Sequence, residues 1–272
     1  MEQHVSWITQ VVNHLLGRFA LALLSALHIQ PNQPDTPIPE HVVMGLLVLV
    51  VGTLLALFLR SRLSVERPGV TQQIAELLIT NPLEFGIRDL LDENIAHGAR
   101  EYISMIGTIA IFVLFANLFG MFPFLTAPTG QVSVPLACAI VVFIYFNWHG
   151  VRHLGGLGYL KTFTAGVHWL LAILIFPVEI ISTTARLLSL TVRLWANMFA
   201  SDLIYTIFLS LLAGGTAWGW EKSHVLGVIL AVFPMLIPVL FIGLHIFVSF
   251  IQAYVFTVLP AVYLGLATAE EH

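Results

Sequence analysis

Apolar residues along this chain come in long runs, not in the short alternations of a soluble domain. Val42 to Leu59 is one run, closed by "RSRLSVER". Tyr102 to Phe122 and Val132 to Trp148 are two more, joined by "PFLTAPTGQ". A membrane-crossing helix needs about 20 mostly apolar residues, so the pattern predicts upright spans over 42–59, 102–122 and 132–148. Val11 to Ile29 is apolar but interrupted by Asn13, His14 and Arg18. That pattern predicts an amphipathic helix on the membrane surface, with a weak first span as the alternative. "PNQPDTPIP", Pro31 to Pro39, reads as an extended linker, because four prolines cannot sit inside a helix. Residues 1–40 are thus an amphipathic segment and linker, and 41–272 a membrane domain.

Between the first two spans, Thr71 to Arg100 mixes Ile74, Leu77, Leu90 and Leu91 with Glu76, Arg88, Asp89 and Asp92. This predicts a surface helix over 71–100, broken at Asn81-Pro82. "HGVRHLGGLGYLK", His149 to Lys161, reads as a loop. Its glycines follow no strand, which argues against a phosphate cradle. His149 and His153, four apart, have the spacing of a metal clamp, or are simply solvated at the membrane edge.

Two longer runs follow, over 166–213 and 224–266, with "GGTAWGWEKS" between them. The first, as one helix of about 48 residues, is roughly 70 Å long at 1.5 Å per residue. The hydrocarbon core is only about 30 Å thick. Two upright helices would need a polar turn near Ser189, and no Gly, Pro or Asn stands there. The remaining solution is a hairpin of two long, strongly tilted membrane helices, with Pro177, Pro234, Pro238 and Pro260 as candidate bends.

Composition agrees. The chain is 58% hydrophobic and 10% charged, with a mean hydropathy of +0.92, against roughly 25% charged for soluble domains. A net charge of -4 without a basic cluster argues against nucleic acid. The lone Cys138 excludes an internal disulfide. Before the first apolar run stands Glu2 and no Lys or Arg, unlike a secretory signal. Arg60, Arg62, Arg67, Arg88, Arg100, Arg152 and Lys161 fall on one side of the predicted spans, and only Arg18 and Lys222 on the other. This asymmetry predicts the N-terminus outside and the C-terminus inside.

The long runs also carry charge. Glu179, Arg186 and Arg193 are spaced by seven, which puts them on one helical face. Asn197 stays near that face, and Asp202 points roughly opposite. On the second run His245, Ser249, Gln252 and Tyr263 form a matching polar stripe. A charge at mid-membrane costs about 2.5–3.5 kcal/mol on insertion scales, and arginine cannot escape by losing its proton. Arg186 has a mundane explanation as a strut to Glu179. For Arg193 the nearest carboxylate of this chain, Asp202, is on the wrong face, so an acid on another membrane protein is its natural partner. The pairs Arg193/Gln252 and Asp202/His245 share a midpoint, to within a residue, at Lys222–Ser223. An antiparallel hairpin turning there sets each pair at one height.

"TVRLWANMFASDLIY", Thr191 to Tyr205, resembles the signature of the subunit a family of F-type ATP synthases, the membrane stator beside the rotating c-ring. "PVEIISTTARLLSLTVRLWAN", "GLHIFVSFIQAYVFTVLPAVYL" and "PLEFGIRDL" fit as well, so the resemblance covers about Pro37 to the end. It implies that Arg193 faces the c-ring carboxylate with Gln252 beside it. Asp202 and His245 would belong to the half-channel open to the outside, and Glu179 to the one open to the inside. It further implies peripheral-stalk b subunits and the lipid bilayer as partners, a bacterial inner membrane, and no cofactor or metal. Two departures stand out. Asp202 is shorter than the glutamate common at that position, and Gln131 and Ser133 occupy places that often hold an acid and an asparagine. No G-x-x-x-x-G-K-[ST] loop occurs, so the chain is expected not to hydrolyse ATP itself. A self-contained secondary transporter, which would carry a complete site in one chain, and a passive membrane scaffold are the rival readings.

Overall fold

A computed structural model describes residues 6–28, 30–31, 36–64, 68–79, 86–95, 98–122, 125–163 and 169–268. Among them every regular element is helical: α1 Trp7–Ala26, α2 Glu40–Ser61, α3 Val70–Ile79, α4 Ile87–Asn94, α5 Ala99–Phe119, α6 Ser133–Thr162, α7 Trp169–Lys222 and α8 His224–Thr268, with a 3₁₀ turn at Pro128–Gly130. Six described helical stretches are long and apolar enough to cross a membrane. They lie in α1, α2, α5, α6, α7 and α8, and the α1 stretch has the lowest mean hydropathy, 1.2. α7 has 54 residues, about 80 Å at 1.5 Å per residue, so it crosses a 30 Å core only at a steep tilt.

Several boundaries differ from the sequence pattern. α7 does not stop at Ala213: "GGTAWGWEK" is helical to Lys222, and Ser223 alone separates it from α8. Within it the Thr216 hydroxyl donates to the Leu212 carbonyl at 2.8 Å and so leaves the helical backbone unbroken. Trp220 lies over Gly227, where an added Cβ would sit 3.0 Å from the indole, so the turn closes tightly. The expected loop at 149–161 is also helical. α6 runs past the predicted end at Trp148, breaks only at Gly155 (φ 72°, ψ 161°) and resumes to Thr162. That backbone conformation is open to glycine and strongly disfavoured for other residues. The segment over 71–100 is two helices, α3 and α4, and Arg100 already belongs to the first turn of α5. The Asn81-Pro82 break lies outside the described residues.

The chain divides into two compact units. One comprises Met1–Leu49, Phe115–Val134 and Trp195–Phe250; the other comprises Val50–Leu114, Pro135–Leu194 and Ile251–His272. In the first, α1 turns Thr9, Asn13 and Gly17 inward, and Leu15 and Phe19 are over 70% exposed. This inverted amphipathy suits a lipid solvent, where small and polar residues make the helix contacts. The Asn13 side chain then binds both backbone groups of Ile38: Nδ2 donates to its carbonyl at 3.0 Å, and Oδ1 accepts from its N–H at 2.9 Å. Pro37 is buried beside Gly17. One amide therefore pins the linker just before α2 begins.

In the second unit, Leu91, Tyr102, Val113, Leu190, Leu194 and Phe256 form part of a nearly solvent-free core. Gly265 of α8 meets the Asn94 carbonyl at the end of α4 so closely that no Cβ fits. His149 and His153, the candidate clamp, face tyrosines. His153 Nε2 lies 3.1 Å from the Tyr102 hydroxyl, and the His149 ring packs against Tyr102 and Tyr145. Among the described residues no group of three His, Cys, Asp or Glu is placed to hold a metal.

Candidate functional site

The α7 stripe is built as its seven-residue spacing requires. In the second unit Arg186 Nη2 lies 3.3 Å from Glu179 Oε1, across two helical turns. Its guanidinium also sits over the Tyr263 ring, 5.4 Å from the centroid. Both charged side chains remain about a third exposed, so the attraction is partly screened by solvent. They open onto a cavity of about 240 Å³ whose polar wall also includes Thr183, Thr162, Tyr159 and Tyr263. Glu179, Arg186 and Tyr263 are thus brought together, and Arg186 has the strut that the sequence offered as its mundane explanation.

Tyr159 was not foreseen. Its hydroxyl donates to Asn147 Oδ1 at 2.9 Å. Its ring lies over Gly150 so closely that no Cβ fits beside Cε2. The break at Gly155 folds the chain back so that the two can meet. The sequence signal is the glycine spacing itself, which suits a loop as well as a break in a helix.

Arg193 differs from Arg186. It is exposed, between Val192 and Leu188, which are also more than half exposed. Among the described residues its guanidinium has no hydrogen bond or ion pair. Gln252, expected beside it, is 2% exposed, with Oε1 buried and without a hydrogen-bond partner among the described residues. No direct hydrogen bond joins the two. Asn197 is half-buried and likewise has no side-chain bond among the described residues.

A second polar cluster lies within the first unit. His245 is buried, and its Nε2 is 3.0 Å from the backbone carbonyl of Asn117 on α5. A carbonyl only accepts, so Nε2 carries the proton. In the neutral ring Nδ1 is then the atom that takes up or releases one. Ser249 donates to the His245 carbonyl at 2.7 Å. Thr129 donates to Asn117 Oδ1 at 2.6 Å, and both are solvent-free. Asn117 Nδ2 is buried without a partner. Asp202 of α7 is exposed and reaches the 3₁₀ turn: a Cβ added at Gly130 would stand 3.2 Å from its Oδ2. His245 lies within electrostatic range of Asp202, although no hydrogen bond joins them. The sequence brought Asp202, His245 and Ser249 forward but missed Asn117 and Thr129. An amide inside the apolar run of α5 was the available signal.

The arrangement can hold and pass protons. The first-unit cluster offers a carboxylate, a histidine and hydroxyls; the second unit, by itself, offers an arginine with no ion-pair partner among the described residues. A family model described as "ATP synthase A chain" matches residues 41–265. A relative from Koribacter versatilis (strain Ellin345) named "ATP synthase subunit a" is 40% identical over 269 residues, 99% of each chain. One of the same name from Solibacter usitatus (strain Ellin6076) is 40% identical over 261 residues, 96% of this chain and 99% of its own. "ATP synthase subunit a 3" of Pelobacter propionicus (strain DSM 2379 / NBRC 103807 / OttBd1) is 32% identical over 259 residues. Matched by that family model over residues 41–265 and by such relatives along nearly its whole length, the chain belongs to the ATP synthase A chain family.

Proposed function

We propose that the chain is the proton-translocating stator subunit of an F-type ATP synthase in a bacterial inner membrane. Its N-terminus lies outside and its C-terminus in the cytoplasm, as the arginine asymmetry favours. Arg193 faces the carboxylates of the c-ring, and peripheral-stalk b subunits hold the chain against rotation. Asp202 and His245, with Ser249, Asn117 and Thr129, belong to a half-channel open to the outside. Glu179, Arg186 and Tyr263, around the 240 Å³ cavity, belong to one open to the inside.

A rotor carboxylate must be neutral to face lipid, because an isolated charge there is too costly. Opposite Arg193 it can ionise. A proton reaching the outer cluster passes through Asp202 and His245 Nδ1 to the next rotor carboxylate. After the ring turns, that carboxylate loses its proton toward the inner cavity. Arg193 prevents a direct leak, because a proton approaching a fixed cation in a low-dielectric site is repelled. Each charge that crosses supplies about 2.3 kcal/mol per 100 mV. Arg186 is a positioning residue, which holds Glu179 at the cavity wall.

The observation that carries this proposal is the exposed Arg193 guanidinium with no partner among the described residues. A self-contained transporter would pair it internally. Arg193→Gln should abolish proton-driven ATP synthesis in membrane vesicles while the complex still assembles. Arg193→Lys should also fail to couple normally, since lysine can release its proton when buried. Near-normal synthesis by the lysine variant would overturn the fixed-charge mechanism. Purification of the tagged chain should bring down a ring of small hairpin subunits. Isolation of an active transporter without that ring would favour the self-contained alternative.

A further inference from the structure

One acidic group in the first unit has no part in the mechanism above. Glu40 opens α2 and is half-buried. Its Oε1 accepts from the Thr126 hydroxyl at 3.3 Å, a contact between residues 86 apart in sequence. A first-turn carboxylate often does no more than complement the helix dipole. Here its position is fixed from both sides. Behind it, Asn13 holds Ile38 by two hydrogen bonds and Pro37 is buried beside Gly17, so α1 sets where α2 starts. Ahead of it, Thr126 belongs to the segment that forms the outer cluster.

That segment is short. Thr126 binds Glu40, Thr129 binds Asn117 Oδ1, and Gly130 lies against Asp202 Oδ2. Asn117 in turn supplies the carbonyl that orients His245. Thr126 and Gly130 are four positions apart, at most about 14 Å of extended chain, and the 3₁₀ turn at Pro128–Gly130 shortens it further. One fixed loop thus joins the Glu40 carboxylate to the Asp202–His245 pair. Gly120 lets the loop lie this close to α5: a Cβ there would be 2.9 Å from the Ala127 Cβ.

We infer that Glu40 is the proton-collecting acid at the outer mouth of the half-channel, delivering along the 126–130 loop to Asp202 and His245. The inference rests on the half-channel assignment made above. Glu40 takes a proton from outside water, becomes a neutral carboxylic acid, and returns to the carboxylate when the proton passes inward through water beside the loop hydroxyls. A carboxylate at an entrance attracts protons electrostatically, and the low end of such focusing is about a tenfold gain in capture rate. Among the described residues, His41 is the titratable neighbour within electrostatic range of Glu40. Thr126 faces Glu40 from one end of the loop, and Asp202 lies at its other end, within electrostatic range of His245.

The test uses the intact complex in proteoliposomes, with the pH of the outer face varied and that of the inner face held constant. Glu40→Gln keeps the shape and removes the charge. It should slow proton-driven ATP synthesis about tenfold at an outer pH near 8, the low end of the focusing range. Lowering the outer pH by about one unit should restore the rate, because bulk protons then replace those the acid collected. Raised salt should slow the native complex toward the variant. Glu40→Asp should restore most of the native profile, and Thr126→Val should shift it by a smaller amount in the same direction. A Glu40→Gln deficit that ignores outer pH would mark a structural role and overturn the inference. So would a native profile in both Glu40→Gln and Thr126→Val. Arg193→Gln in the same vesicles separates the two levels. If it is dead while Glu40→Gln is normal, only the collecting role fails. If it synthesises ATP, the stator mechanism itself fails.

Discussion

Thr129→Val removes one oxygen-borne hydrogen at nearly constant volume, and its effect follows from a single contact. Thr129 Oγ1 lies 2.6 Å from Asn117 Oδ1, and neither residue is exposed. Asn117 Nδ2 already lacks a partner, so the variant leaves the whole Asn117 amide unsatisfied. An orphaned buried acceptor costs about 1–3 kcal/mol in soluble proteins. Cycles in a membrane protein average about 0.6 kcal/mol and reach about 1.7. The short, fully buried contact places this case near the upper end, so a loss of about 1.5 kcal/mol is expected. Reversible unfolding in mild detergent should report it as roughly a tenfold shift in the unfolding constant, since 1.4 kcal/mol is tenfold. Thr129→Ser should recover most of the loss. The Asn117→Ala background provides the decisive control: there the valine substitution should cost almost nothing, giving a coupling energy of about 1.5 kcal/mol. Additive single-site effects would show that this bond does not hold the loop to α5. The functional consequence would be mild, because the His245 bond uses the Asn117 backbone carbonyl.

Other substitutions divide stability from transport. Glu179→Gln should slow ATP synthesis several-fold without abolishing it, since it frees Arg186 at the cavity wall; a loss as complete as that of Arg193→Ala would show that Glu179 had been ranked too low. Gln252→Leu should leave thermal stability unchanged or raise it, because Oε1 is buried without a partner, yet impair coupling; a stability loss above about 2 kcal/mol would mean that the amide is satisfied in the assembled membrane. Gly150→Ala should displace the Tyr159 ring and make a cysteine at position 183 react faster with a membrane-impermeant thiol reagent from the inside; an unchanged rate would show that the ring does not bound the cavity. Cysteines at 202 and 245 should cross-link in the assembled membrane, and a preference of 202 for 252 would break the hairpin register.

Contacts that repeat within one helix were legible in the sequence. Glu179 and Arg186 meet because seven residues make nearly two turns, and the structure joins them at 3.3 Å. The Ser223 turn was legible from the shared midpoint of two polar pairs. The all-helical membrane fold followed from hydropathy, because apolar run length directly measures how much lipid a helix can cross. Contacts between distant segments were hidden. The His245–Asn117 bond joins residues 128 apart, and nothing in either local pattern selects the other. Gly155 misled for a physical reason: a glycine cluster suits a loop and a one-residue break in a helix equally well. "GGTAWGWEK" misled because an apolar setting keeps glycine-rich backbone helical, where water would compete for its amides.

The one-residue link between α7 and α8 makes the Asp202–His245 alignment depend on a place with no chemistry of its own. Each residue of helix turns through about 100° and climbs 1.5 Å. Inserting a single residue into α7 between Asp202 and the turn would therefore swing Asp202 through more than a quarter circle relative to the fixed Trp220–Gly227 closure. A longer, slack loop would absorb that error; this one transmits it undiminished. Over the 20 or so residues from Ser223 back to Asp202, substitutions can be frequent, while insertions and deletions should be almost forbidden. The turn behaves as a mechanical index mark, and the length of chain on either side of it is itself a functional quantity.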